Sequence, residues 1–159
     1  MATKKQYSYN EIIDIFSDIS TRHNQINGFN FGWSTNLNKE TNTYPFVQLV
    51  PDNSNISGDI QANKSGGEFI SSFSMLVVDL LSESDDNLAD VLSDTLEMGK
   101  DIVAEIKNGS TYRNEVKITG ISFEPFEEKF NNQLAGWNIS LEISFGYAAN
   151  ACITPINAS

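Results

Sequence analysis

A period-two alternation at residues 137–147 constrains the fold more than any other feature of the chain. Large apolar side chains alternate with polar or small ones: Trp137, Ile139, Leu141, Ile143, Phe145 and Tyr147 are separated by Asn138, Ser140, Glu142, Ser144 and Gly146. Successive side chains of a β-strand point to opposite faces, so the pattern predicts a long strand with one buried face. Such a strand needs neighbouring strands and a second layer that covers its apolar face.

Two amphipathic helices are predicted to form that second layer. Ser8 and Glu11 have the spacing of a capping box, apolar residues follow at helical spacing, and Gly28 marks the stop. The clearer helix covers about residues 86–107 and ends before Gly109. Gly99 lies in the middle of its apolar arc, where a missing side chain lets the helix axis come close to the sheet.

The remaining apolar runs predict the other strands. Residues 29–33 and 46–50 predict a hairpin with a polar loop between them, and the run from about 68 to 80, apolar on both faces, predicts a central strand. The alternation at residues 116–123 changes phase at Gly120, which predicts a bulge.

We therefore predict an α+β fold, an antiparallel sheet of about five strands with two helices packed on one face. Residues 1–159 are expected to form a single domain with a long loop at 51–67 and a C-terminal arm at 148–159.

Length and charge limit the classes of function. A chain of 159 residues with 40% hydrophobic residues can bury a core without a disulfide or a metal, and its single cysteine, Cys152, cannot form an internal disulfide. The net charge of -11 repels the nucleic-acid backbone, so tight general DNA binding is not expected. No stretch approaches the ~20 apolar residues of a membrane span, so we expect a soluble protein without a membrane partner.

Catalytic chemistry finds little support in the residues. The only histidine, His23, follows a helix end, where a surface imidazole is expected, and it cannot supply both a catalytic base and several zinc ligands. The acidic run at 82–86 lacks the spacing of a calcium loop and reads as a helix N-terminus. Glu127 and Glu128 are neighbours that would point apart, whereas acid-base catalysis needs two carboxylates facing one cavity. We predict no catalytic residues, no cofactor and no metal, and hence that the protein is not an enzyme.

One family resemblance comes from the last third of the chain. The residues that carry it are the segment 126–130, the Leu-Ala-Gly-Trp motif at 134–137, the alternating strand, and Asn-Ala-Cys-Ile at 150–153. In these residues, and in the order of its elements, the chain resembles small neck and tail-completion proteins of tailed bacteriophages, in particular tail terminators and head-tail connectors.

The resemblance implies a structural virion subunit that is assembled in the host cytoplasm. Such subunits form a homo-oligomeric ring, six-fold or twelve-fold, that joins the portal and neck proteins to the tail proteins and lets DNA pass through its channel without specific binding. A ring needs segments that reach a neighbouring copy. We expect the interface to be formed by the polar loop around Lys39, the loop at 51–67 and the C-terminal arm with the adjoining end of the last strand. The residues expected there are Lys39, Glu40, Asn53, Asn55, Asp59, Tyr147, Asn150, Ile153 and Pro155. Two alternatives stay open: a soluble α+β binding module for a small ligand or a protein partner, and an enzyme that uses acidic residues and a metal.

Overall fold

The computed structural model describes residues 7–33, 42–51, 56–60, 67–128 and 133–147. In chain order the elements are α1 (Tyr9–Arg22), β1 (Gly28–Phe31), β2 (Phe46–Val50), β3 (Ile56–Ile60), β4 (Gly67–Leu80), α2 (Leu88–Asn108), β5 (Val116–Glu128) and β6 (Leu134–Tyr147). The strands form one sheet in the order β1-β2-β4-β6-β5, and β3 pairs with the first part of β4. Both helices pack on the same face of this sheet. The predicted α+β class is confirmed, with a mixed sheet in place of a purely antiparallel one.

The parallel pairing of β1 with β2 is the first departure from prediction. Gly28 pairs with Phe46 and Phe31 with Leu49, so the two strands run in the same direction and are not a hairpin. Residues 32–45 connect them, and a connection of a dozen or more residues is long enough for a parallel crossover. The backbone N–H of Asn27 donates to the carbonyl of Pro45 at 2.8 Å, which fixes the parallel register at its start.

The predicted long loop at 51–67 contains a strand, so that prediction is wrong for its central residues. β3 pairs antiparallel with β4, from Ile56 opposite Ser71 to Ile60 opposite Gly67. β2 pairs with β4 only between residues 74 and 78, which leaves the backbone groups of residues 67–71 needing a partner on that side. β3 supplies it. The rest of the predicted loop, at 52–55 and 61–66, lies outside the described residues, as does the predicted C-terminal arm at 148–159.

The long pair of β4 and β6 forms the middle of the sheet, and the alternation predicted for residues 137–147 is confirmed where side chains are described. All fourteen residues of β6 pair with β4, from Leu134 opposite Leu80 to Tyr147 opposite Gly67. Ile139, Leu141 and Ile143 are buried beneath the helices together with residues of β4. The β6 side chains between them point to the second face of the sheet.

The first helix begins as predicted, but it ends at Arg22, and the predicted stop, Gly28, is instead the first residue of β1. The Ser8 hydroxyl accepts the N–H of Glu11 at 3.2 Å, and the Ser8 N–H donates to the Glu11 carboxylate at 2.7 Å, which completes the capping box. The apolar face of α1 is buried, with Phe16 fully inaccessible. His23 is the C-cap, and its N–H donates to the carbonyls of Ile19 and Ser20.

Gly99 has the role that its position on α2 predicts. A Cβ placed on Gly99 would overlap Cδ1 of Ile139 on β6 and lie 3.7 Å from Cγ2 of Val77 on β4. Both neighbours are completely buried, so the helix axis comes closest to the sheet at this glycine. The missing side chain is what allows α2 to pack directly on β4 and β6.

Substituting Gly99 with alanine should therefore destabilise the protein despite improving helix propensity. Alanine contributes about 1 kcal/mol to an α-helix relative to glycine. Overpacking a tight core costs about 1–3 kcal/mol. We expect the free energy of unfolding from urea titration to fall by up to about 2 kcal/mol, and the second substitution Ile139→Val, which removes Cδ1, to restore part of it. A Gly99→Ala variant that is more stable than wild type would contradict this account of the contact.

β5 forms one edge of the sheet and carries the predicted bulge. Ile118 pairs with Ile143 but Gly120 pairs with Glu142, so the register shifts by one residue at Thr119. The shift explains the change of phase in the sequence, since it returns the following apolar residues to the helix-covered face. Further along this strand, Pro125 pairs with Trp137 on an edge strand, the kind of strand in which proline is tolerated.

Each residue of the Leu-Ala-Gly-Trp motif, on which the resemblance partly depends, has a packing role. Leu134 is buried in a small cluster on the second face, and Ala135 is buried against α2. A Cβ on Gly136 would overlap the carbonyl oxygen of Val77, so β6 and β4 approach closely there. The indole N–H of Trp137 donates to the carbonyl of Leu92 at 2.7 Å and ties the sheet to α2. Ala135 and Trp137 therefore stabilise the contact between the two layers, whereas Leu134 packs on the second face and Gly136 lies against the neighbouring strand.

Candidate interaction surfaces

The second face of the sheet, opposite the helices, is covered only in part. At one end, apolar side chains of several strands form a buried cluster: Phe46, Val50, Leu76, Val78 and Leu134, with Tyr44 and Phe126 packed against them. Over the middle of β4, β6 and β5 the face is open and forms a groove of about 550 Å³. This groove is called the polar groove below.

The strand registers place the polar side chains of the groove in rows across the sheet. Ser74 lies opposite Ser140, which lies opposite Ser122 on β5. The adjacent rows bring Glu142 opposite Ser72 and Glu124 opposite Asn138. Small hydroxyl side chains at the centre keep the floor of the groove flat, with one carboxylate in the row on either side.

The groove presents an excess of hydrogen-bond acceptors. Glu124 and Glu142 are exposed, and neither has an ion-pair partner among the described residues. The side-chain oxygen of Asn138 is buried at the groove floor and has no hydrogen-bond partner. The described cation nearest in register is Lys117, which lies opposite Ser144 beyond Gly120. The groove therefore matches a ligand that brings positive charge and hydrogen-bond donors.

A second surface lies near the opposite edge of the sheet, where β1 ends. Phe31 is 43% exposed and Trp33 is 60% exposed, the highest value among the exposed large hydrophobic residues described. The ring of Phe31 also packs edge-on against Tyr9, with ring centroids 6.0 Å apart. The side-chain N–H groups of buried Gln48 donate to the carbonyls of Gly32 and Trp33, at 3.1 and 2.9 Å, which directs the chain over the second face of the sheet. Exposed aromatic side chains whose backbone is fixed by hydrogen bonds are typical anchors of protein interfaces.

Polar contacts join the ends of the two helices. His23 Nδ1 accepts the N–H of Gln25 at 3.2 Å, so its ring proton is assigned to Nε2, which lies 3.1 Å from the Asp101 carboxylate on α2. His23 thus lies at a helix end as predicted, but its side chain is only 14% exposed. Arg22 contacts Asp18 at 3.0 Å and Glu105 at 3.4 Å. The contacts of Arg22 with Glu105 and of His23 with Asp101 join the C-terminal end of α1 to α2.

Tyr112 is bound into the same group of residues. Its hydroxyl donates to Asp18 at 2.8 Å. Hydrogen bonds from Arg22 and then Tyr112 lower the pKa of Asp18, and burial, together with the bond to Asp18, raises the pKa of Tyr112 to about 12.

The raised pKa of Tyr112 predicts a loss of stability at high pH. A folded-state pKa above the unfolded value of 10.0 means that the stabilisation is complete below pH 10 and is lost as the pH rises toward about 12. The free energy of unfolding of wild type should therefore fall more steeply above pH 10 than that of Tyr112→Phe. Urea titrations at a series of alkaline pH values would measure both slopes, and tyrosinate absorbance would report the late-ionising tyrosine. Parallel curves for the two proteins would contradict the assignment.

Only two of the nine predicted interface residues lie within the described chain. Asp59 on β3 pairs with Glu68, and Tyr147 at the end of β6 pairs with Gly67, so both backbone positions lie at the same end of the sheet on either side of β4. The other seven lie outside the described residues: Lys39, Glu40, Asn53, Asn55, Asn150, Ile153 and Pro155. Sequence reasoning missed both surfaces described above, although the polar half of the β6 alternation was the available signal for the groove.

Among the described residues, no group of three or more His, Cys, Asp or Glu side chains is placed to hold a metal ion. None of the described helices has the length and apolar character needed to cross a membrane. Comparison of the chain with protein-family models and with curated proteins finds no match.

Proposed function

We propose that the chain is a non-enzymatic virion subunit that forms a ring at the neck or tail end of a tailed bacteriophage, as its resemblance implies. The observation that carries the assembly part of this proposal is the pair of unlike surfaces on one sheet. The exposed aromatic side chains of Phe31 and Trp33 lie at and just after the end of the edge strand β1, whereas the polar groove lies over β4, β6 and the β5 edge. A ring is built from heterologous contacts, in which two different surfaces of each copy meet.

Charge supports the proposed passage of DNA through the ring. The net charge of -11 keeps most of the surface repulsive to phosphate groups. A channel wall of that sign does not retain the nucleic-acid backbone, because retention depends on neutralising phosphates with Lys and Arg. Portal, neck and tail proteins are the partners that this position in the particle requires.

Light scattering coupled to size-exclusion chromatography tests the assembly, and negative-stain micrographs test its shape. We expect a species with the mass of several copies and a closed rotational symmetry of six or twelve. Trp33→Ala should weaken the association by at least tenfold, since exposed aromatic anchors carry much of the energy of an interface. Leu80→Ala, which shortens another exposed apolar side chain, is the matched control. A chain that stays monomeric at every concentration would refute the proposal.

A binding module for a small polar ligand is a second candidate, favoured by the unpartnered Asn138 oxygen in the groove. A ligand that binds only the folded state raises the thermal midpoint in proportion to the logarithm of its concentration. A concentration-dependent rise with a metabolite, in a protein that remains monomeric, would favour this candidate over the ring.

A further inference from the structure

His23 supplies two hydrogen-bond acceptors to the turn that connects α1 to β1. Its ring Nδ1 accepts the backbone N–H of Gln25 at 3.2 Å, and its carbonyl oxygen accepts the N–H of Ile26 at 3.3 Å. Asn27, the last residue before β1, is held differently, because its N–H donates to the carbonyl of Pro45 at 2.8 Å. The bond of Gln25 therefore depends on the His23 ring, whereas that of Asn27 does not.

The hydrogen bond from Gln25 requires the neutral form of the His23 ring. A ring nitrogen accepts a hydrogen bond only while it carries no proton, and both nitrogens of an imidazolium are donors. Since Nδ1 accepts from Gln25, the proton of the neutral ring is on Nε2, which lies 3.1 Å from the Asp101 carboxylate on α2. A second proton can be added only at Nδ1, where it faces the Gln25 N–H. Two donors then oppose each other, and the bond is lost.

The groups around the ring can accommodate its positive charge. On α2 the ring faces Asp101, and Glu105 lies one helical turn further along. On α1 the adjacent Arg22 is paired with Asp18 and Glu105. The other described residues that line the surface groove beside the ring, of about 480 Å³, are uncharged. A hydrogen bond between an imidazolium and a carboxylate is stronger than one from a neutral ring, so a charged His23 stays joined to α2.

From these contacts we propose that His23 is a proton-sensitive switch in the turn between α1 and β1. Proton uptake exchanges the hydrogen bond from Gln25 for a charged hydrogen bond to Asp101. Histidine is the side chain whose charge ordinarily changes between about pH 5 and pH 8. In the charged state the turn at Gln25 is released, while Asn27 keeps β1 in register with β2. The switch acts within one folded copy, so it does not depend on the proposed ring.

Nuclear magnetic resonance of ¹⁵N-labelled protein between about pH 8 and pH 5 tests the switch. The ring nitrogens report the protonation of His23, and the Gln25 amide reports the state of the turn. After correction for the intrinsic effect of pH on exchange, protection of the Gln25 amide should fall about tenfold, with the same midpoint as the ring. The Asn27 amide should keep its protection. A Gln25 amide that does not follow the ring, a joint loss at both amides, or a ring that stays neutral down to pH 5 would overturn the proposal.

Two substitutions of His23 fix the turn in one state each. An asparagine side chain can accept the backbone N–H two residues further on, as in an Asx turn, and it does not titrate. His23→Asn should therefore keep the Gln25 amide protected throughout the pH range, and His23→Ala should leave it unprotected throughout. If the Gln25 amide of His23→Asn loses protection in acid as wild type does, the loss does not come from the ring and the switch is refuted.

Discussion

Replacing Gly136 with alanine is expected to lower the free energy of unfolding by about 3 kcal/mol, the upper end of the usual cost of overpacking. The added methyl group would overlap the carbonyl oxygen of Val77, and it would lie 3.1 Å from the Cα of Val78. These are backbone atoms of the central strand, so no rotamer change can make room. The two longest strands would have to separate, although they are paired along their whole length. Urea titration of the purified Gly136→Ala variant would measure this loss of stability. A variant that gives no folded protein would show the same effect in its extreme form.

Ser140→Ala is the matched control on the same strand. Ser140 is exposed in the polar groove, and surface substitutions of this kind usually change stability by less than about 0.5 kcal/mol. Equal stabilities of Gly136→Ala and Ser140→Ala would show that β4 and β6 are not in close contact at Gly136.

Phe73→Ala is expected to cost about 3–5 kcal/mol, the range measured for deleting large buried aromatic side chains. Phe73 on β4 is 2% exposed and holds α1 to the sheet. Its ring stacks on Tyr9 at 5.7 Å and packs against Phe16 at 6.0 Å. Removing it leaves a cavity between the first helix and the central strand, and both apolar contact and aromatic pairing are lost.

Phe31→Ala provides the comparison for the same substitution at a different burial. Phe31 also contacts Tyr9 but is 43% exposed, so its truncation should cost less than about 1.5 kcal/mol. Denaturation should be followed at a protein concentration low enough to keep both variants monomeric, because association adds stability. Similar losses in the two variants would show that Phe73 does not anchor α1.

The long periodic elements of this fold could be predicted from sequence because one local pattern determines each of them. The capping box at Ser8 was predicted and is observed, as were the bulge at Gly120 and the close approach at Gly99. Strand direction was not predictable in the same way. Alternation in β1 and β2 shows which side chains share a face, but a parallel and an antiparallel pair give the same alternation.

The short strand β3 and the candidate surfaces depend on contacts that no local pattern records. Residues 56–60 read Ile-Ser-Gly-Asp-Ile, and glycine and aspartate are both uncommon in strands. Pairing with β4 overrides that preference. The polar groove exists because the register brings Ser74, Ser140 and Ser122 side by side from three distant segments. The alternation within each strand predicts the face of the sheet on which each serine lies. It cannot predict which residues of the other strands lie beside that serine.

Pro125 and its flanking glutamates have a consequence for growth of the sheet. β5 is a long edge strand, and free strand edges can recruit further chains without limit. Pro125 offers no N–H to an incoming strand, Glu124, Glu127 and Glu128 add negative charge around it, and the bulge at Thr119 bends the other half. Fibre-like stacking is thereby discouraged on this side, so copies that join through side-chain surfaces can stop at a finite number.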